Sequence, residues 1–260
     1  MTESKTPLAH SGRIVLITGA NKGIGRETAR QLGRLGMTVL AGARDEERGR
    51  RAVAQLRGEG ADVRFVQLDV TEDRSVMQAA EWIDKEFGRL DVLINNAGMT
   101  VDEERPSKER LSSDINPLDT TAEHVRRTYE VNVFGVVRVT RAMLPLLRQA
   151  KSARIVNLSS PLASLTFRAN PEHPIAKVGL LAYNSSKAAV SAITLQYANA
   201  LRGAGILVNA ANPGFVATDL NTHSGHGTVE QGASAVVRLA TLADDGPSGA
   251  FLGEDGPVPW

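Results

Sequence analysis

Apolar residues follow two rhythms along this chain, and the two take turns. Short, nearly continuous runs predict strands at 13–20 (RIVLITGA), 38–44 (TVLAGAR), 63–70 (VRFVQLDV), 90–98 (LDVLINNAG), 152–160 (SARIVNLSS) and 206–214 (ILVNAANPG). Between them the apolar positions recur at helical spacing. Ile24, Ala29, Leu32 and Leu35 mark a first helix, ended by Gly36. Ala52, Val53 and Leu56 mark a charged surface helix, and DRSVMQAAEWIDKEFG a third, closed by Gly88. Residues 120–149 predict a long helix with Pro145 near its end. Tyr183 to Arg202 predict another, closed around Gly203 and Gly205, and 228–243 the last. GAFLGEDG reads as an edge strand.

Strands that are apolar through their middles are those covered on both faces by crossover helices. Their alternation with helices predicts an α/β fold with a doubly wound parallel sheet. No change of composition and no linker interrupts it. The expectation is therefore one Rossmann-type domain over 12–260 behind a flexible tail at 1–11. Two stretches break the rhythm and read as loop insertions: 99–119, rich in charge and turn residues, and 161–181, with three prolines. A third irregular stretch, 215–228, follows a strand end. Ligands of open α/β sheets sit at the carboxyl ends of the strands, so these stretches are the expected pocket walls.

Composition narrows the function classes. Thirty basic residues against 29 acidic give a net charge of +1, which offers no electrostatic case for a nucleic-acid or membrane partner. With no cysteine there is no disulfide, no thiolate zinc site and no thiol nucleophile, which fits a cytoplasmic setting. The N-terminal residues are too polar for a signal peptide, and no apolar run has the length of a membrane span.

TGANKGIG (18–25) joins the first predicted strand to the first predicted helix. Gly19, Gly23 and Gly25 allow a tight turn and close backbone approach, and a helix N-terminus offers N–H groups and a positive dipole end to a pyrophosphate. A glycine triplet alone is a weak signal; its place between strand one and helix one makes it a dinucleotide-binding candidate. Where NAD binders carry a carboxylate after the second strand, this chain has Ala43 and then Arg44. A guanidinium suits a 2′-phosphate, and Lys22 within the turn adds a second positive charge, so NADP(H) is favoured over NAD. Asp45 argues the other way, although it is also a good N-cap for the next helix.

LAYNSSKA (181–188) places Tyr183 and Lys187 four apart, hence on one helix face. A free phenol has a pKa of about 10, too high for proton exchange near neutrality, and a neighbouring ammonium lowers it. Ser159-Ser160 ends a strand and can supply a hydrogen-bond donor to a developing oxyanion. Asn132, polar amid Val131, Val133 and Phe134, reads either as a site residue or as the cap of a helix irregularity.

Taken in order, TGANKGIG, LDV (68–70), NNAG (95–98), VNVFG (131–135), IVNLSS (155–160), YNSSK (183–187) and NPG (212–214) resemble the short-chain dehydrogenase/reductase family over residues 12–255. The resemblance implies a catalytic tetrad of Asn132, Ser160, Tyr183 and Lys187. Tyr183 would be the general acid in reduction and Ser160 would hold the substrate carbonyl. Lys187 would bind the nicotinamide ribose and lower the tyrosine pKa, and Asn132 would help hold a relay water. It also implies cofactor contacts from Gly19, Asn21, Lys22, Gly23, Ile24 and Gly25, with Arg44 at the 2′-phosphate and Asp69 and Val70 at the adenine. Asn96, Ala97 and Gly98 would line the cleft, and Pro213, Gly214, Val216 and Thr218 would embrace the carboxamide. NKGIG, GAR and the C-terminal segment are similar to the family's NADPH carbonyl reductases, including relatives of menthone and salutaridine reductases.

The implied activity is NADPH-dependent reduction of a small-molecule ketone or aldehyde. The competing readings are an alcohol or hydroxysteroid-type dehydrogenase working in the oxidative direction and a non-catalytic dinucleotide-binding regulator. The second of these predicts a broken tetrad, whereas all four positions are filled. The chain departs from the family in the longer Ser160-to-Tyr183 spacing, in Ala163 where a glycine is common, and in Pro161 directly after the serine. Insertions beside the substrate site accompany monomers in that family, so a monomer is expected over a dimer or tetramer. His223 and His226 lack a clear third ligand, so no metal site is expected. DEERPSKER (102–110) reads as a solvated loop, and Trp260 as a core anchor or a pocket wall.

Overall fold

The computed structural model describes residues 10–101 and 116–260. Most of the expected tail and of the 99–119 insertion, including the charge-rich 102–110 segment, lies outside the described residues.

The alternating pattern folds as β1 (Ile14–Thr18), α1 (Gly23–Arg34), β2 (Thr38–Ala43), α2 (Glu46–Gly58), β3 (Val63–Gln67), α3 (Asp73–Phe87) and β4 (Val92–Asn95). The second half continues with α4 (Ala122–Tyr129), α5 (Gly135–Leu147), β5 (Arg154–Leu158), α6 (Leu165–Arg168), α7 (Leu181–Leu201), β6 (Leu207–Ala211), α8 (Val229–Ala240), β7 (Phe251–Gly253) and β8 (Gly256–Pro257). The sheet runs β3-β2-β1-β4-β5-β6-β7-β8, parallel except for the last pair. This is the doubly wound Rossmann-like architecture expected. Strand order reverses between β1 and β4, and the crevice beyond their carboxyl ends is where such sheets take ligands.

Alternation along the strands divides the core in two. Leu16, Leu93, Ile155 and Val208 pack with Val76, Met143 and Ala198 from α3, α5 and α7. Val15, Ile17, Ile94 and Val156 pack with Leu32, Val53 and Val236 from α1, α2 and α8. Each Val, Leu, Ile or Met among them, taken fully out of water, contributes about 1.5–3 kcal/mol, which makes the sheet a rigid base for the loops at its edge.

Three local differences from the sequence reading have physical causes. The long helix at 120–149 is interrupted by a π turn at Glu130–Phe134, between α4 and α5. The 161–181 stretch is partly ordered: Pro161 and Pro174 start single 3-10 turns, and Ser164 caps the one-turn α6 through the amide of Phe167. The edge strand expected at 249–256 is two short antiparallel strands, so β8 and not β7 is the edge. Trp260 stacks on Phe251, with ring centroids 5.3 Å apart, and its carbonyl accepts from the Thr166 amide and hydroxyl at 3.1 and 2.7 Å. It is thus an anchor that ties the last residues to α6.

Candidate active site

The glycine turn is shaped by what a side chain would strike. Gly19 and Gly23 have φ of +65° and +54°, in the left-handed region that disfavours other residues. A Cβ on Gly25 would fall 2.4 Å from Asn96 Nδ2 and 2.7 Å from the Gly19 carbonyl, and one on Gly19 would reach 3.0 Å from the Ala97 Cα. These contacts exist because the ends of β1 and β4 are stitched together. Asn96 Nδ2 donates to the carbonyls of Thr18 and Gly19 at 2.8 and 3.0 Å. Thr18 Oγ1 accepts from the amides of Asn96 and Ala97, both at 2.9 Å. The Asn96 side chain thus braces the turn from beneath.

Basic residues gather outside the turn. Asn21, Lys22, Gly23, Arg26, Arg48, Arg51 and Asp219 share a surface pocket between α1 and α2. Lys22 Nζ lies 2.8 Å from Asp219, whose carboxyl is held below the usual range chiefly by that hydrogen bond and charge. His223 meets the other oxygen of Asp219 at 2.9 Å. Arg44 is exposed at the end of β2 and is not among that pocket's lining residues. Asp45 caps α2, accepting from the Arg48 amide at 2.9 Å.

After β3, Asp69 Oδ1 accepts from the Thr71 amide and hydroxyl at 2.9 and 2.7 Å. Val70 is buried against Gly135, where a Cβ would come within 2.9 Å of it, and its carbonyl accepts from Arg138 at 2.6 Å. On the far side, Gly214 turns at φ +78° with its amide on Asn212 Oδ1, next to Pro213. Val216 and Ile24 meet over Gly232 of α8, so both side chains serve packing. Thr218 closes on Gly23, 3.6 Å from the position of a Cβ there. The loop after β6 therefore rests on the glycine turn.

The structure brings Tyr183 and Lys187 onto one face of α7, which starts at Leu181, two residues earlier than read from sequence. Lys187 Nζ lies 5.7 Å from the Tyr183 ring centroid and donates to the Leu158 carbonyl at 2.8 Å. Lys187 is only 5% exposed, and burial pulls its pKa from 10.5 down to about 8. Gly98 lies beside it: a Cβ there would be 3.6 Å from Nζ and 3.5 Å from Asn132 Oδ1.

Just beyond β5 the two serines have different partners. Ser159 Oγ is buried against Ser191 Oγ at 3.1 Å and the Lys187 carbonyl at 3.3 Å. Ser160 caps the 3-10 turn begun by Pro161, its Oγ accepting from the Leu162 amide at 3.2 Å. That bond takes a lone pair and leaves the O–H able to donate.

Asn132 sits in the π turn at Glu130–Phe134, where its side chain serves the structural role that one of its two sequence readings gave it. Its Oδ1 accepts from the Met99 amide at 2.8 Å; its Nδ2 donates to the Met99 carbonyl at 2.9 Å and to Ser186 Oγ at 3.0 Å. Both amide hydrogens are therefore spent inside the protein.

Thr18, Ser186 and Asp219 were not singled out in the sequence. Thr18 carried a signal, a hydroxyl closing an apolar strand; Asp219 carried none. Among the described residues no group of three His, Asp or Glu side chains could hold a metal ion, and no helix is long and apolar enough to cross a membrane.

The family profile described as short chain dehydrogenase matches residues 13–228. Short-chain dehydrogenase/reductase 1 of Saponaria officinalis is 34% identical over 304 residues, covering 100% of both chains. The structure of salutaridine reductase from Papaver somniferum superposes with a TM-score of 0.78 at 32% identity, over 92% of this chain and 99% of that one. That of NADPH-bound carbonyl reductase from chicken fatty liver does so at 0.79 and 28% identity, over 96% and 100%. Motif order, sheet topology and these likenesses agree: the chain belongs to the short-chain dehydrogenase/reductase family of oxidoreductases.

Proposed function

We propose that this chain is an NADPH-dependent carbonyl reductase that converts a small ketone or aldehyde to an alcohol. The carrying observation is the grouping of Tyr183 with a buried Lys187 beside Gly98, after β4, and against the Leu158 carbonyl that ends β5, two residues before Ser160. Relatives at this level of similarity include carbonyl reductases and salutaridine reductases, which supports a reductive reading.

The residues present fit a dinucleotide. A Cβ at Gly25 would strike Asn96 and the Gly19 carbonyl, so only glycine lets the turn close this tightly, and α1 begins at Gly23 with its first N–H groups and positive dipole end available to a pyrophosphate. Lys22, with Arg26 and Arg48 nearby, and Arg44 at the end of β2 supply charge for a 2′-phosphate. Asp69 and Val70 would flank the adenine, and Pro213, Gly214 and Thr218 the carboxamide end. The bound nicotinamide supplies the hydride that the carbonyl carbon accepts.

The protein's share is proton transfer and charge placement. Ser160 donates to the carbonyl oxygen where negative charge builds. Tyr183 gives that oxygen its proton. Lys187, as an ammonium, lowers the phenol pKa and so eases the loss of that proton. Asn132 orders the backbone at Met99 and the start of α7, which places these groups. The reading includes a monomer, one domain over 12–260 and a cytoplasmic setting, which suits a cysteine-free chain.

The test is the initial rate of cofactor oxidation on a panel of ketones and aldehydes, with NADPH and NADH side by side. Rapid NADPH loss on some carbonyls and slow NADH loss are expected. Turnover with NADH alone would refute the cofactor assignment. Tight cofactor binding without turnover on any carbonyl or alcohol would favour a binding protein.

A further inference from the structure

Between Tyr183 and Lys187 stands a residue that the proposed chemistry does not use. Ser186 is fully buried, with 0% exposure. Its Oγ donates to the Tyr183 carbonyl at 2.7 Å and accepts from Asn132 Nδ2 at 3.0 Å. One hydroxyl thus joins the first turn of α7 to the π turn at Glu130–Phe134.

Ser186 completes the hydrogen bonding of Asn132, whose orientation its other partner fixes. An Asn side chain can be rotated by half a turn, exchanging its oxygen for its nitrogen, unless its partners forbid it. Here Met99 offers an amide to one end and a carbonyl to the other, so a flipped side chain would oppose donor to donor and acceptor to acceptor. Ser186 occupies the remaining amide hydrogen. Without it, a buried N–H would have no partner, and the amide and the first turn of α7 would gain freedom together. The other end of the same amide holds Met99, one residue beyond Gly98, which lies 3.6 Å (as a virtual Cβ) from Lys187 Nζ.

We infer that Ser186 is a positioning residue, whose hydroxyl holds the backbone of Tyr183 and the amide of Asn132 in one fixed relation so that the phenol meets the substrate oxygen in register. This rests on the carbonyl-reductase reading above. Small errors of placement matter at such a site: a shift of the order of 1 Å costs up to about 100-fold in rate.

Ser186→Ala, Ser186→Thr and Ser186→Cys would be compared with the unaltered chain. Thermal unfolding, NADPH binding by fluorescence, kcat and KM on one reduced ketone, and the pH profile of kcat/KM would be read for each. Ser186→Ala is expected to fold and to keep NADPH affinity, with kcat down about 10- to 100-fold at little changed KM. The apparent pKa of the proton donor is expected to rise. Ser186→Thr should recover most of kcat, because a helical threonine can also bond the carbonyl one turn back. If Ser186→Ala lowers only the unfolding temperature, with kcat within about twofold and the pH profile unmoved, the inference is overturned. Should Ser186→Ala fail to fold, Ser186→Cys keeps the volume with a much weaker hydrogen bond, and retained kcat there overturns it equally. Tyr183→Phe in the same assay separates the layers. If that variant still turns over, both the reading and the inference fail; if it is dead while Ser186→Ala is fully active, only the inference does.

Discussion

Lys22 and Asp219 lie 197 residues apart in sequence and meet in a 2.8 Å ion pair that joins the glycine turn to the loop after β6. The same lysine is the second positive charge expected, after Arg44, at a cofactor 2′-phosphate, so an anionic ligand there competes with Asp219 for it.

Asp219→Asn is therefore expected to tighten NADPH binding more than NADH binding. Both partners are more than half exposed, so the pair itself contributes at most about 1 kcal/mol and the unfolding midpoint should hardly move. Titrating both cofactors by fluorescence at several salt concentrations checks this. Equal affinities in variant and parent would mean that Lys22 serves the loop and not the ligand.

Arg44→Asp should shift preference from NADPH toward NADH, since it removes a fork-shaped donor and introduces an acceptor for a ribose hydroxyl. The observable is the ratio of kcat/KM for the two cofactors. An unmoved ratio would leave the discrimination to Lys22, Arg26 and Arg48.

Tyr183→Phe is expected to lower kcat by about 100- to 10,000-fold, the usual worth of a positioned general acid, while cofactor affinity stays near that of the parent. Binding and turnover measured on one preparation decide it.

Gly25→Ala should disturb both stability and cofactor binding. The added methyl would enter space held by Asn96 Nδ2 and the Gly19 carbonyl, and overpacking of this kind costs about 1–3 kcal/mol. Urea unfolding gives the first effect and NADPH titration the second; loss of binding with stability intact would show that the turn relaxes freely.

Lys187 makes stability depend on pH in a definite sense. Its folded-state pKa is lowered, from 10.5 to about 8, so between those values the unfolded chain binds more protons than the folded one. Stability from this group therefore rises with pH across that window, with a slope approaching about 1.4 kcal/mol per pH unit, and falls back toward neutrality. Lys187→Met should remove that slope in ligand-free protein. Denaturation midpoints measured from pH 7 to about pH 10 test it.

Much of this was legible in the sequence, for reasons that differ by residue. The sheet could be read because strands covered on both faces need continuous apolar runs, as in Val15 to Ile17 and Val92 to Ile94. Tyr183 and Lys187 could be paired because helical spacing is fixed. The choice of Ser160 over Ser159 rests on family pattern, because nothing in the sequence says that Ser159 turns onto Ser191 in the fold. Less local facts were hidden. Nothing in NKGIG says that Lys22 will find Asp219, because that contact depends on how the loop after β6 folds. Helical periodicity ran unbroken through VNVFG, since one extra residue in a turn changes the hydrogen bonding long before it disturbs an apolar pattern.

That extra residue also constrains how the chain can vary. A π turn holds one residue more than an α turn, and each residue in a helix advances about 100° around the axis. The π turn at Glu130–Phe134 thus sets a phase difference between α4, which packs on α7, and α5, which packs on α3 and β4. Deleting a single residue there would restore a regular helix and rotate one half against the other, pulling either Asn132 or Val139 and Met143 off their neighbours. A change of length along this rod thus reaches every contact on both sides of the π turn at once, whereas a substitution acts at one position.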